Sequence, residues 1–240
     1  MKTHTFRRLA GAAGIGYLLI FLSGFFANFF VLESLVVPND AAATVQALMT
    51  HVLQFRLGLL AFVLMVAVDV ALAWPLYILL KPMHPRLAQL SSGLRVVNGG
   101  LFGVALYALF RIAFLTSSAS PLAAEALPDA VMAALASFDQ MWLVGLIFFG
   151  AHLALLGFLV IRAPYVPTLV GLLLLASSCG YLADSLAHFF LTSYADYEVV
   201  FTGIVVLAGV MGELSLTGWL LWAGFHRPNC SGKRQALALE

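Results

Sequence analysis

Residues 202–224 read TGIVVLAGVMGELSLTGWLLWAG, an apolar run with the ~20 residues a helix needs to cross a bilayer. One carboxylate, Glu213, lies near its centre. An acid at that depth costs a few kcal/mol on insertion scales, so such groups face a protein interior or a wet cavity and mark a working site. Outward from this stretch the same composition continues. Of 240 residues, 62% are hydrophobic and 10% charged, against roughly 45–50% and ~25% in a soluble domain. The class is therefore an all-α polytopic membrane bundle.

Six runs meet the length criterion, at about 11–32, 57–80, 97–116, 141–161, 166–186 and 200–224. The basic N-terminus with its apolar body reads as the first span rather than a cleaved signal, since no small-x-small cleavage site follows. Lys2, Arg7, Arg8, Lys81, Arg86, Arg95, Arg162, Arg227, Lys233 and Arg234, ten of the twelve basic residues, fall on one side of this layout. The positive-inside rule then puts both termini in the cytoplasm. Residues 1–228 form a single bundle domain, and 229–240 a disordered cytoplasmic tail whose final Leu239-Glu240 resembles a cloning remnant.

The two longer outer loops carry similar caps, Pro38-Asn39-Asp40-Ala41 and Pro128-Asp129-Ala130, each followed by Ala-rich sequence. This predicts a short external amphipathic helix in each loop, ending at Phe55-Arg56 and Phe138-Asp139.

At ~1.5 Å rise per residue, Asp69, His152 and Glu213 fall in one layer roughly 20 Å from the outer surface. Arg56, Arg111, Asp139 and Asp184 form an outer layer. Helical spacing groups Ser177, Tyr181, Asp184 and His188 on one face of the fifth span, and Gly100, Val104, Tyr107 and Arg111 on one face of the third. Turned inward, such stripes give the bundle a polar interior. Arg111 with Asp184 reads as a register-fixing ion pair or as part of a vestibule, and Arg56 with Asp139 as a boundary pair or a snorkelling side chain. With His152 the single basic group expected at their depth, Asp69 and Glu213 must be protonated, share a proton, pair with the imidazole, or meet a solute. Candidate ligand-binding residues are Glu213, Asp69, His152, Arg111, Arg56, Asp184, Tyr181 and Tyr107. Glu213, Asp69 and His152 are also the candidates for catalysis.

No haem-binding His pair, zinc-protease motif, nucleophile elbow, P-loop or dinucleotide fingerprint is present. No metal, cofactor or nucleic-acid partner is expected. The expected partners are membrane lipid, a small molecule and a second copy of the chain.

Arg8-Leu9-Ala10-Gly11, Val37-Pro38-Asn39-Asp40-Ala41, Phe55-Arg56-Leu57-Gly58, Asp69 with Leu76-Tyr77-Ile78-Leu79-Leu80-Lys81-Pro82, Phe148-Phe149-Gly150-Ala151-His152, and Gly212-Glu213-Leu214-Ser215 with Trp219-Leu220-Leu221 occur in that order. Together they resemble the bacterial integral membrane family catalogued as domain of unknown function 4386. The resemblance spans residues 8 to about 224 and implies a prokaryotic inner-membrane protein, without implying an activity. Three functions remain open: binding or transport of a small amphipathic molecule, acid–base catalysis on a lipid or isoprenoid-like substrate (an isomerase or cyclase), and a non-catalytic accessory subunit.

Overall fold

The computed structural model describes residues 3–226 except 119 and 121. The expected tail at 229–240, with Cys230 and the terminal Leu-Glu, lies outside the described residues. Those described form helices and connecting turns, with no strand. Helix α1 (Thr3–Phe25) runs through a π-helical stretch, Phe26–Leu32, into α2 (Glu33–Leu35). Then come α3 (Ala41–Thr50), α4 (Val52–Leu80), α5 (Pro85–Leu115), α6 (Leu127–Ile161), α7 (Thr168–Phe190) and α8 (Tyr194–Phe225). Among the described residues six stretches are long and apolar enough to cross a membrane: His4–Leu35, Val52–Leu80, Pro85–Leu115, Ala124–Ile161, Thr168–Phe190 and Tyr194–Phe225.

Each span packs against its neighbours in sequence, and α8 closes on α1 to complete a ring. At the end carrying the termini this closure is tight. A Cβ on Gly224 would collide with the backbone of Gly11, so the two helices approach this closely because residue 224 lacks a side chain. Arg7 locks the same corner, its guanidinium donating to the carbonyls of Gly224 and Phe225 at the end of α8. A cation there also complements the negative end of the helix dipole.

Two apolar cores fill the ring. One, at the end away from the termini, gathers Val31, Phe55, Phe62, Phe102, Leu109 and Phe138. The other, at the terminal end, gathers Tyr17, Leu72, Leu76, Leu153, Leu156 and Leu220. Between them lies a polar layer to which every span contributes: Tyr17 from α1, Asp69 from α4, Arg95 from α5, His152 from α6, Tyr181 from α7 and Glu213 from α8.

Of the two expected loop helices, only the first is separate. Asp40 caps α3, its carboxylate accepting from the Ala43 N–H at 2.8 Å. We expect Asp40→Ala to cost about 1 kcal/mol in thermal unfolding of the detergent-extracted protein, the usual worth of such a cap. The second does not stand alone. Pro128 sits in the first turn of α6, which then continues unbroken to Ile161. Proline suits a helix start, and nothing in the Ala-rich sequence behind it ends the helix.

The third span also departs from expectation. It begins at Pro85 rather than at 97, with the His84 Nδ1 accepting from the Leu87 N–H as its cap. Arg95 therefore lies ten residues inside a helix, about 15 Å from its start, and not in a loop. Among the described residues this leaves Arg7, Arg8, Lys81, Arg86 and Arg162 as the Lys and Arg residues at the terminal end.

Candidate functional site

The centre of the polar layer is Arg95, whose side chain is fully buried. A lone cation there would be costly to insert, and four directed hydrogen bonds offset that cost. Its Nη2 pairs with the Asp69 Oδ1 at 2.6 Å, and its Nε donates to the Asp69 carbonyl at 3.0 Å. Its Nη1 reaches the Tyr17 hydroxyl at 2.9 Å and the His152 Nε2 at 3.1 Å. Asn98, one turn along α5, donates to the other Asp69 oxygen at 3.3 Å.

These bonds define the state of His152. A guanidinium has protons to give and no lone pair to accept with, so the Nε2 of His152 is an acceptor. The remaining proton is on Nδ1, which donates to the Ser91 carbonyl at 2.8 Å. The imidazole is neutral and its basic lone pair is occupied by Arg95. Asp69, Arg95 and His152 thus form one closed network. The buried face of α5, Ser91, Arg95, Asn98 and Phe102, carries the polar stripe that the sequence reading placed on another face. Tyr107, 71% exposed, and Arg111 turn outward, because residues 100, 104, 107 and 111 lie on the opposite side of the helix from 95, 98 and 102.

Glu213 stands apart from this network. Its Oε1 accepts from the Tyr181 hydroxyl at 2.8 Å. The closeness of α7 and α8 makes this possible. A Cβ on Gly209 would come within 2.6 Å of the Tyr181 hydroxyl oxygen, so glycine there lets the phenol cross the face of α8. We expect Gly209→Ala to displace Tyr181 and cost roughly 1 kcal/mol, the worth of one hydrogen bond. Thermal unfolding compared with Tyr181→Phe checks this, the two variants falling at similar stability. The rest of the α7 stripe also faces α8. Ser177 donates to the Ala208 carbonyl at 2.5 Å, and buried Asp184 accepts from Tyr194 at 2.7 Å.

The expected ion pairs do not form. Asp184 meets Tyr194 and not Arg111, since α7 packs between α6 and α8 while α5 packs between α4 and α6. Arg56 and Asp139 are both exposed and unpaired with each other. Among the described residues the one ion pair is that of Arg95 with Asp69.

Glu213 and Tyr181 instead line a cavity of about 480 Å³, within the ~300–1,000 Å³ typical of small-molecule sites. Tyr17 and Thr217 complete its polar end. Ile20, Phe21, Phe62, Met65, Trp142 and Leu214 are among its apolar walls. Phe25, Phe29, Val206 and Val210 line the cavity and are also exposed on the outside of the bundle, so it opens sideways between α1 and α8. The π-helical stretch Phe26–Leu32 begins at this mouth. Such wider turns recur at functional sites, and here it carries Asn28 and Phe29 into the rim.

Tyr17 joins the two halves of the layer, and sequence reasoning missed it as it missed Arg95. Its oxygen accepts from Arg95, and among the described residues no acceptor takes its own proton. It lines the cavity, which therefore receives one phenolic donor from Tyr17 and one carboxylate from Glu213. Asp69 and His152 lie behind that wall, while Arg56, Arg111 and Tyr107 are elsewhere on the bundle.

A protein of Archaeoglobus fulgidus, named "Uncharacterized protein", is 31% identical over 161 residues, which is 67% of this chain and 80% of that one. No solved structure matches the chain. A family model described as "Domain of unknown function (DUF4386)" matches residues 12–224. That match begins five residues before Tyr17 and ends eleven after Glu213, so it takes in the polar layer and both sides of the cavity, and the chain belongs to this family.

Proposed function

We propose that this protein binds a small amphipathic molecule in the cavity between α1 and α8 and exchanges it with the membrane through the lateral opening. The observation that carries the reading is the pairing of a polar end with an apolar mouth. Glu213, Tyr181 and Tyr17 offer hydrogen-bonding groups at the inner end, and aromatic and aliphatic walls lead outward to the lipid-facing surface. A molecule with a polar head and an apolar body fits that gradient, because each part replaces an environment it already prefers.

Mass spectrometry of molecules that copurify with gently extracted protein tests the reading. Wild type is compared with Val210→Trp, which fills the mouth from α8. A defined compound near one per protein, lost from the folded variant, is the expected result. Bulk lipid alone in both samples overturns it in favour of an accessory subunit.

A second reading rests on the same groups. Tyr181 and Glu213, 2.8 Å apart, form a proton donor–acceptor pair, and with Tyr17 they make a set suited to acid–base catalysis on a lipid-like substrate. Recovery of a compound together with its isomer would favour that reading.

We place the protein in a prokaryotic inner membrane with both termini in the cytoplasm, an orientation supported by Arg7, Arg8, Lys81, Arg86 and Arg162 at that end. An Ala42→Cys variant is expected to react with a membrane-impermeant maleimide on intact cells whose outer barrier has been opened. Labelling solely from the cytoplasmic side reverses the orientation.

A further inference from the structure

We propose that the molecule held in this cavity is a lipophilic monocation, an ammonium or phosphonium centre on an apolar body, whose charge pairs with the Glu213 carboxylate. This rests on the reading of the cavity as a ligand site and adds the sign of the ligand's charge.

Three features of the lining support it. First, the cavity wall carries one ionisable acid, Glu213, and neither Lys nor Arg. The nearest guanidinium, Arg95, is directed into Asp69, Tyr17 and His152 behind the wall, and Asp69 supplies its counter-charge. An anionic ligand would meet a carboxylate with no cation to receive it, whereas a cation finds the one charged side chain of the lining, which has no ionic partner. Second, Phe21, Phe25, Phe62 and Trp142 line the path to Glu213. Their ring faces attract an organic cation, by up to about 2 kcal/mol each when water is excluded. Trp142 is held by stacking on Phe102 at 3.8 Å, and Phe62 packs edge-on against it at 5.6 Å, so this surface is already formed. Third, a metal ion is a poor occupant. Hard cations are held by about six oxygen ligands, several of them carboxylates, whereas the lining has the single carboxylate of Glu213 and no cluster of three or more His, Cys, Asp or Glu side chains occurs among the described residues.

Pairing with a carboxylate makes a proton a competitor. The titratable and charged groups around Glu213 are Tyr181 on α7, Tyr17 on α1, and Arg95 and Asp69 on α5 and α4, with His152 of α6 behind Arg95. Arg95 and Asp69 offset each other, and the phenols are hydrogen-bonded. Glu213 is therefore the group through which pH acts on cation binding, and binding weakens as the medium becomes acidic.

The test uses tetraphenylphosphonium, a permanent cation, and tetraphenylborate, which has nearly the same shape and the opposite charge. Each is titrated calorimetrically into nanodiscs containing the full chain, with empty nanodiscs subtracted. We expect saturable phosphonium binding at least about tenfold tighter than borate binding, weaker at acidic pH. We expect Glu213→Gln to lose about tenfold in affinity and the pH dependence with it, at unchanged unfolding temperature. Equal or tighter borate binding, or wild-type phosphonium affinity in Glu213→Gln, overturns the proposal. If phosphonium fails to bind while a neutral compound copurifies with wild type and is lost from Val210→Trp, the charge assignment falls and the cavity reading stands. Absence of both a saturable probe and a copurifying compound overturns both.

Discussion

Asp69→Asn is expected to destabilise the protein by about 3–5 kcal/mol, the usual result of removing one partner of a buried ion pair. The substitution keeps the shape of the side chain and still offers Arg95 an oxygen, so packing is barely changed. It strands a fully buried guanidinium, at membrane depth, with no counter-charge. The structure offers Arg95 no exit, since its other bonds, to Tyr17 and His152, hold it in place. Thermal unfolding of the extracted protein measures the loss. Arg95→Met in the same background should recover much of it, because the double variant leaves no charge unpaired and neighbouring sites do not add independently. A single Asp69→Asn variant within about 1 kcal/mol of wild type would refute the ion-pair assignment and return Asp69 to the ligand-binding candidates.

Asp69 illustrates which features of the site were legible in the sequence. Its depth was readable, because helical rise converts residue number into height. Its partner was not, because Arg95 looks like the end of a loop when a span is located by its most apolar window. The local signal was the His84-Pro85 start, a capping residue followed by a proline in the first turn. Taken as a helix start, it puts Ser91, Arg95 and Asn98 on one face, three and four residues apart. The same omission turned Tyr107 and Arg111 inward, since choosing the wrong polar stripe rotates the whole helix. The pairs Arg111–Asp184 and Arg56–Asp139 failed for a different reason. Equal height brings two residues together only if their helices are neighbours, and the ring order of the spans follows from packing rather than from any single segment. Glu213 and Tyr181 were both visible, one as an acid in an apolar run and the other on the polar face of α7. That they meet depends on Gly209, whose missing side chain leaves room for the phenol.

The contrast between the two acids gives the second large effect. Glu213→Gln is expected to cut retention of the bound molecule about tenfold while leaving stability within about 1 kcal/mol of wild type. Glutamine keeps an oxygen to accept from Tyr181, so the 2.8 Å bond survives, and no buried cation loses its partner because Glu213 pairs with none. Partly buried at the cavity wall, the side chain is not part of either apolar core. What the change removes is the charge presented to the cavity, and therefore whatever in the ligand depends on it. Copurification by mass spectrometry and thermal unfolding, run on the same preparations, separate the two quantities. If the bound molecule and the fold are lost together, Glu213 belongs to the structural network with Asp69, and the cavity has no dedicated polar end. If the molecule alone is lost, the polar layer divides as its geometry indicates, with Arg95 holding the bundle together from behind Tyr17 and Glu213 meeting the ligand in front of it.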